Sequence, residues 1–187
     1  MFRRWALTPG MGPYGSWGNG AAMRVAAIGH LAKGEAQLLE LAAASAAVSH
    51  DHADAIAGAQ AVALAIWLVR AGHERAATRS RIAGRFGYDL GQTVAGIRAW
   101  YRFDVSSKGT VPPALVCALE ARDYEEAVRG AVSLGGDSDT LACITGAIAE
   151  TLYGLPEDIA ATTRRRLDPE LLAVVDRLYA HSRDEHA

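Results

Sequence analysis

Gly135-Gly136-Asp137-Ser138-Asp139-Thr140 runs directly into an apolar series in which Leu141, Ile144, Thr145, Ile148, Ala149 and Leu152 fall on one helical face. Gly154 and Pro156 mark the end of that helix. The strength of the pattern makes it the central element of a helical core. It sets Asp137, Asp139 and Thr140 at a buried helix start, where spare N–H groups and the positive dipole end also suit a phosphate-bearing ligand. Two carboxylates one residue apart need a counter-charge at low dielectric, and with a hydroxyl they form a hard-oxygen donor set suited to Mg²⁺, Ca²⁺ or Mn²⁺. The competing reading is a cap: Ser138 or Asp139 accepts from first-turn N–H groups.

Outward from this stretch, helical periodicity recurs. A strong helix is expected from about Ala53 to Ala71, its apolar face carrying Ile56, Ala59, Ala63, Ile66 and Trp67 and its end set by Gly72. Before it, Ala21 to His50 reads as helix broken near Gly34. After it, shorter helices are expected near Glu74 to Arg85 and Thr93 to Tyr101. Phe103 to Val111 reads as irregular, with Pro112-Pro113 opening the next helix. Asp123 and Glu126 have capping-box spacing for another. The first twenty residues, punctuated by Pro9, Gly10, Gly12, Pro13, Gly15, Gly18 and Gly20, read as a loop or tail.

The chain has 187 residues, half of them hydrophobic and only 7% aromatic. The abundance of alanine favours close-packed helices over sheets, so an all-α fold in a single domain over residues 1–187 is expected. A formal charge of −2 with mixed signs offers no basic stripe for nucleic acid and no polybasic membrane anchor. The longest strongly apolar run, Ala61 to Val69, falls short of the roughly 20 residues of a bilayer span, and Met1-Phe2-Arg3-Arg4-Trp5 lacks a signal-peptide core. A cytoplasmic location is the expectation. Cys117 and Cys143 sit within apolar helical patterns and are expected as buried free thiols.

Four segments together resemble the ADP-ribosylglycohydrolase family. They are Tyr14 to Val25 (YGSWGNGAAMRV), Ser49-His50-Asp51-His52 with Gly58-Ala59, Phe103-Asp104-Val105 leading to Gly109-Thr110-Val111-Pro112, and Ser133 to Thr140 (SLGGDSDT). The resemblance implies a compact orthogonal multi-helix bundle. It implies a hydrolase that cleaves the glycosidic bond between ADP-ribose and a modified side chain or small acceptor, assisted by Mg²⁺ or alternatively Mn²⁺. Asp137, Asp139 and Thr140 would ligate metal, with Asp137 and Asp139 in the catalytic centre and Asp139, taken as deepest toward the helix start, the most sensitive ligand. Ser16, Gly18, Asn19 and Gly20 would contact ribose and phosphate, Trp17 would stack on the base, and His50 would hydrogen-bond ribose or phosphate. Without the resemblance, the Gly-Asn-Gly loop reads first as a glycine-rich surface turn with a core tryptophan, and His52, Asp51 and Asp54 as surface or capping residues.

The family's second metal element, a Thr-Asp-Asp triplet upstream of the loop, does not occur in this sequence. The chain is thus expected to correspond to the C-terminal two-thirds of the family domain. Two carboxylates and a hydroxyl supply about half of what two Mg²⁺ ions need. A homo-oligomer, or a partner chain that supplies the missing element, is expected. The alternative is a degenerate module that binds ADP-ribose or a related nucleotide without cleaving it, or a structural remnant.

Overall fold

The computed structural model describes residues 1–184 and contains twelve helices, with no strand among the described residues. Contacts divide the chain into Met1–Tyr153 and Gly154–Ala187. The first unit carries α1 (Phe2–Leu7), α2 (Gly20–Met23), α3 (Ala26–Leu31), α4 (Glu35–Ala47), α5 (Ala53–Arg70), α6 (Arg75–Phe86), α7 (Val94–Trp100), α8 (Ser107–Glu120), α9 (Tyr124–Ser133) and α10 (Ser138–Tyr153). The second carries α11 (Glu157–Arg164) and α12 (Pro169–Asp184), joined by an ion pair between Arg164 and Asp176.

The core of the first unit is built around α5, which packs against α2, α3, α4, α6, α8 and α10. Its 18 residues reach a mean hydropathy of 1.4, enough in length and composition to cross a bilayer and longer than the apolar run read from sequence. Residues 61–66 are fully buried, as a helix surrounded by other helices must be, and the residue classes are those of a core helix. The second organising element is α10, packed against α5, α8 and α9, with Leu141, Ile144 and Ile148 in the core. That is the apolar face read from sequence.

Several local expectations change. Phe2–Leu7 forms a six-residue helix, so the irregular segment starts only at Thr8, where the run of glycines and prolines begins. α8 starts at Ser107, not at the prolines: Ser106 Oγ accepts from Gly109 N–H at 2.9 Å, and Ser107 N–H donates to Trp17 O at 2.9 Å. A good cap and a tertiary backbone contact therefore outweigh the two N–H groups that Pro112 and Pro113 withhold inside the helix. The capping box at α9 is present in altered form. Asp123 accepts from Glu126 N–H at 2.7 Å, while Glu126 reaches Arg122 N–H at 2.7 Å, one residue before the cap. Cys117 is buried, its thiol pushed up to about 12 chiefly by desolvation, whereas Cys143 is exposed, contrary to the sequence reading.

Candidate functional site

The sequence from Tyr14 to Gly20 cannot remain helical, and its conformation is fixed from outside. Asp51 Oδ1 accepts from Gly15 N–H at 2.6 Å, the Tyr14 ring lies 6.2 Å from that of His50, and Asn19 N–H donates to Val105 O at 2.9 Å. Gly18 and Ser106 form an isolated antiparallel bridge. The loop is therefore laid on the segment preceding α8, and α2 starts directly from it. Gly20 packs closely on the imidazole: a Cβ there would stand 3.2 Å from His50 Nε2, tighter than an ordinary contact.

His50 is buried beneath this loop with its Nδ1 2.7 Å from Ser49 Oγ. Desolvation, reinforced by the Arg24 guanidinium, lowers its pKa below the usual histidine value, so the ring is neutral at pH 7. Arg24 itself bonds Ser49 Oγ at 3.0 Å and Gly20 O at 3.4 Å, which places a cation at the base of the loop. His52 and Asp51 do not join the site: His52 caps α5 by accepting from Asp54 N–H, and Asp51 holds the loop. Trp17 is half-exposed, free of the core that the surface-turn reading assigned to it.

The acidic turn meets the loop from the other side. Asn19 is buried and donates its amide to Asp137 Oδ2 at 2.6 Å and to Thr110 Oγ1 at 3.0 Å. Asp137 O accepts from Leu141 N–H at 3.0 Å, opening α10, while its carboxylate faces Asn19. Asp139 is exposed and accepts from Thr140 N–H at 3.0 Å, which realises part of the capping alternative. Asp139 is thus not the deeper carboxylate: Asp137 is more enclosed, with one oxygen held against the buried Asn19 amide. Thr140 is buried, with its hydroxyl 3.7 Å from Met23 Sδ. Gly136 makes the approach possible. It has φ +66°, and a Cβ there would lie 3.0 Å from Tyr101 Cε1. Tyr101 closes the floor; desolvation raises its phenol pKa against a lowering contribution from Thr110, with Asp104 and Asp137 adding to the rise.

The structure therefore brings Asn19 directly against Asp137 and places Gly18 and Gly20 over His50, while Trp17 stands at the edge. Sequence reasoning did not select Thr110, Arg24 or Tyr101 for the site. Each lies inside or next to a motif, yet only the tertiary pairing shows which atoms they hold. The donor oxygens of Asp137, Asp139 and Thr140 are of the right type for a hard divalent ion, with one Asp137 oxygen committed to Asn19. Among the described residues no group of three or more His, Cys, Asp or Glu is arranged to hold a metal. By donor count alone, two carboxylates and a hydroxyl supply enough for one hard ion completed by water and fall short of what a bridged pair requires.

Comparison with known proteins agrees with this architecture. A solved ADP-ribosylglycohydrolase-related protein complex matches with a TM-score of 0.73 and 28% identity, covering 96% of this chain and 66% of the matched chain. An uncharacterised protein of Archaeoglobus fulgidus is 34% identical over a 158-residue alignment, with 74% of this chain and 50% of the relative covered. The chain thus spans half the length of that relative. The sequence profile of the ADP-ribosylglycohydrolase family matches residues 1–187, and the chain belongs to that family.

Proposed function

We propose that this chain carries the ADP-ribose cleft of a hydrolase acting on the glycosidic bond between ADP-ribose and a modified side chain or small acceptor. The observation that carries the reading is the bond from Asn19 to Asp137, which joins the glycine-rich loop to the acidic helix start in one wall. On this reading Gly18 and Gly20 let the backbone approach the pyrophosphate, Ser16 and neutral His50 hydrogen-bond ribose or phosphate, and exposed Trp17 stacks on the base. Arg24 adds positive potential at the base of the loop.

Asp137, Asp139 and Thr140 would hold one Mg²⁺ or Mn²⁺, which when bound polarises sugar hydroxyls and orients water. The residues themselves do the rest: Asn19 fixes the Asp137 carboxylate, and a carboxylate oxygen left free of the ion assists proton transfer at a water or leaving oxygen. Release of ADP-ribose from an ADP-ribosylated peptide, followed by chromatography with and without Mg²⁺, tests the reaction. Metal-dependent release supports hydrolysis. Binding of ADP-ribose without release supports the second reading, a nucleotide-binding module, which the half-filled donor set favours.

The same half-set supports an association through which a second copy or a partner chain supplies acidic donors. Met23, beside Thr140, is 42% exposed, and Leu31, Leu41 and Val48 are exposed on α3, α4 and the turn that follows. Light scattering on the purified chain should give more than the monomer mass of 19.8 kDa. A monodisperse monomer would contradict a homo-oligomer, and donors from another chain would then have to come from a different protein.

A further inference from the structure

A cavity of about 400 Å³ opens between the α6–α7 connection, the end of α7 and the first turns of α8. Its size falls in the range of small-molecule sites. None of Ser16, Trp17, Asn19, His50, Asp137 or Asp139 lines it, so it is not the cleft described above. Tyr101 and Asp104 form the wall between the two.

The lining is aromatic and unusually exposed. Tyr88, Trp100 and Phe103 stand around the cavity, with Trp100 53% and Phe103 71% accessible, an arrangement that costs free energy unless a flat partner covers it. The indole is already fixed, because Trp100 Nε1 donates to Gln92 Oε1 at 3.0 Å, so little ordering is needed on binding.

Charge decides the class of ligand. The two acids in the lining are turned to their own chain: Asp89 accepts from Gly91 N–H and the Gln92 amide, and Asp104 accepts from Ser106 N–H at 2.7 Å while lying against the Gly109 Cα. The two cations are not matched in this way. Among the described residues neither Lys108 nor Arg102 makes an ion pair, and Arg102 bonds only the Tyr101 carbonyl. We propose that this cavity is a second ligand site, taking a flat aromatic ring that carries a phosphate or carboxylate, with the ring between Trp100, Phe103 and Tyr88 and the anion at Lys108 and Arg102.

Phenyl phosphate is the probe, titrated into the full chain by saturation-transfer NMR with benzyl alcohol as the uncharged control. Saturable binding is expected for phenyl phosphate and not for benzyl alcohol. Lys108→Met and Trp100→Ala should each weaken it by about tenfold or more, with melting temperatures close to the parent because both side chains are exposed. Asp139→Ala should leave it unchanged, and an excess of ADP-ribose should not displace it. Equal response to benzyl alcohol, an unaffected Lys108→Met variant, displacement by ADP-ribose or loss on Asp139→Ala would each overturn the proposal. The titration needs neither ADP-ribose binding nor hydrolysis, so its outcome is separate from that of the proposed activity.

Discussion

Asn19 Nδ2 stands 2.6 Å from Asp137 Oδ2, a contact that spans 118 residues of sequence and ties the glycine-rich loop to the first turn of α10. The same amide group holds Thr110 Oγ1 at 3.0 Å. In this structure both amide hydrogens are spent on the protein, which orients a carboxylate and fixes the loop.

Asn19→Ala should leave Asp137 and Thr110 without their donor and cost about 1–3 kcal/mol of stability, read from urea unfolding. Asn19→Asp should be worse without divalent ions, because two carboxylates would then face one another, and should regain more stability than the parent when Mg²⁺ is added. Wild-type stability in both variants would show that the contact carries no energy.

Gly136→Ala should destabilise the chain by about 1–3 kcal/mol, because φ +66° strains an L-residue and the Cβ meets Tyr101. Gly135 has φ +73° with open space around its Cβ position, so Gly135→Ala isolates the backbone cost. A larger loss at Gly136 than at Gly135 measures the Tyr101 contact; equal losses would mean that the turn does not press on that ring.

Stability should fall on acidification through the histidine range. The pKa of His50 is lowered by burial and then by Arg24, and that of His30 by burial and then by Arg70. The unfolded chain therefore binds protons first, so their contribution is complete above about pH 6.5 and is lost as pH falls from there toward the folded values. Melting temperatures between pH 8 and pH 5 should show this fall, and His50→Gln should flatten it. An unchanged profile in the variant would remove His50 as a source.

Metal dependence is tested by melting. Mg²⁺ should raise the melting temperature of the parent, and Asp139→Ala should abolish the rise. An unchanged shift in that variant would place the ion elsewhere.

The helices were legible wherever a sustained apolar period met a clear stop. α5 ends before Gly72 and α10 before Gly154, as glycine and periodicity require. The start of α8 was not legible, because what fixes it is the Ser106 cap together with the Trp17 carbonyl, 90 residues distant in the chain, and the prolines point to a later start. The site shows the same division. Motif order named the loop and the acidic turn, but not that Asn19 spends its amide on Asp137 or that Asp139 faces solvent. Those depend on how α2 and α10 meet, which no local pattern encodes.

On the proposed function, the loop and the acidic turn form one ADP-ribose cleft with a metal-binding wall. Calorimetric titration of ADP-ribose into the purified chain, with and without Mg²⁺, tests it most directly. Saturable binding that tightens when Mg²⁺ is present is expected, whereas the absence of binding under both conditions would rule such a cleft out.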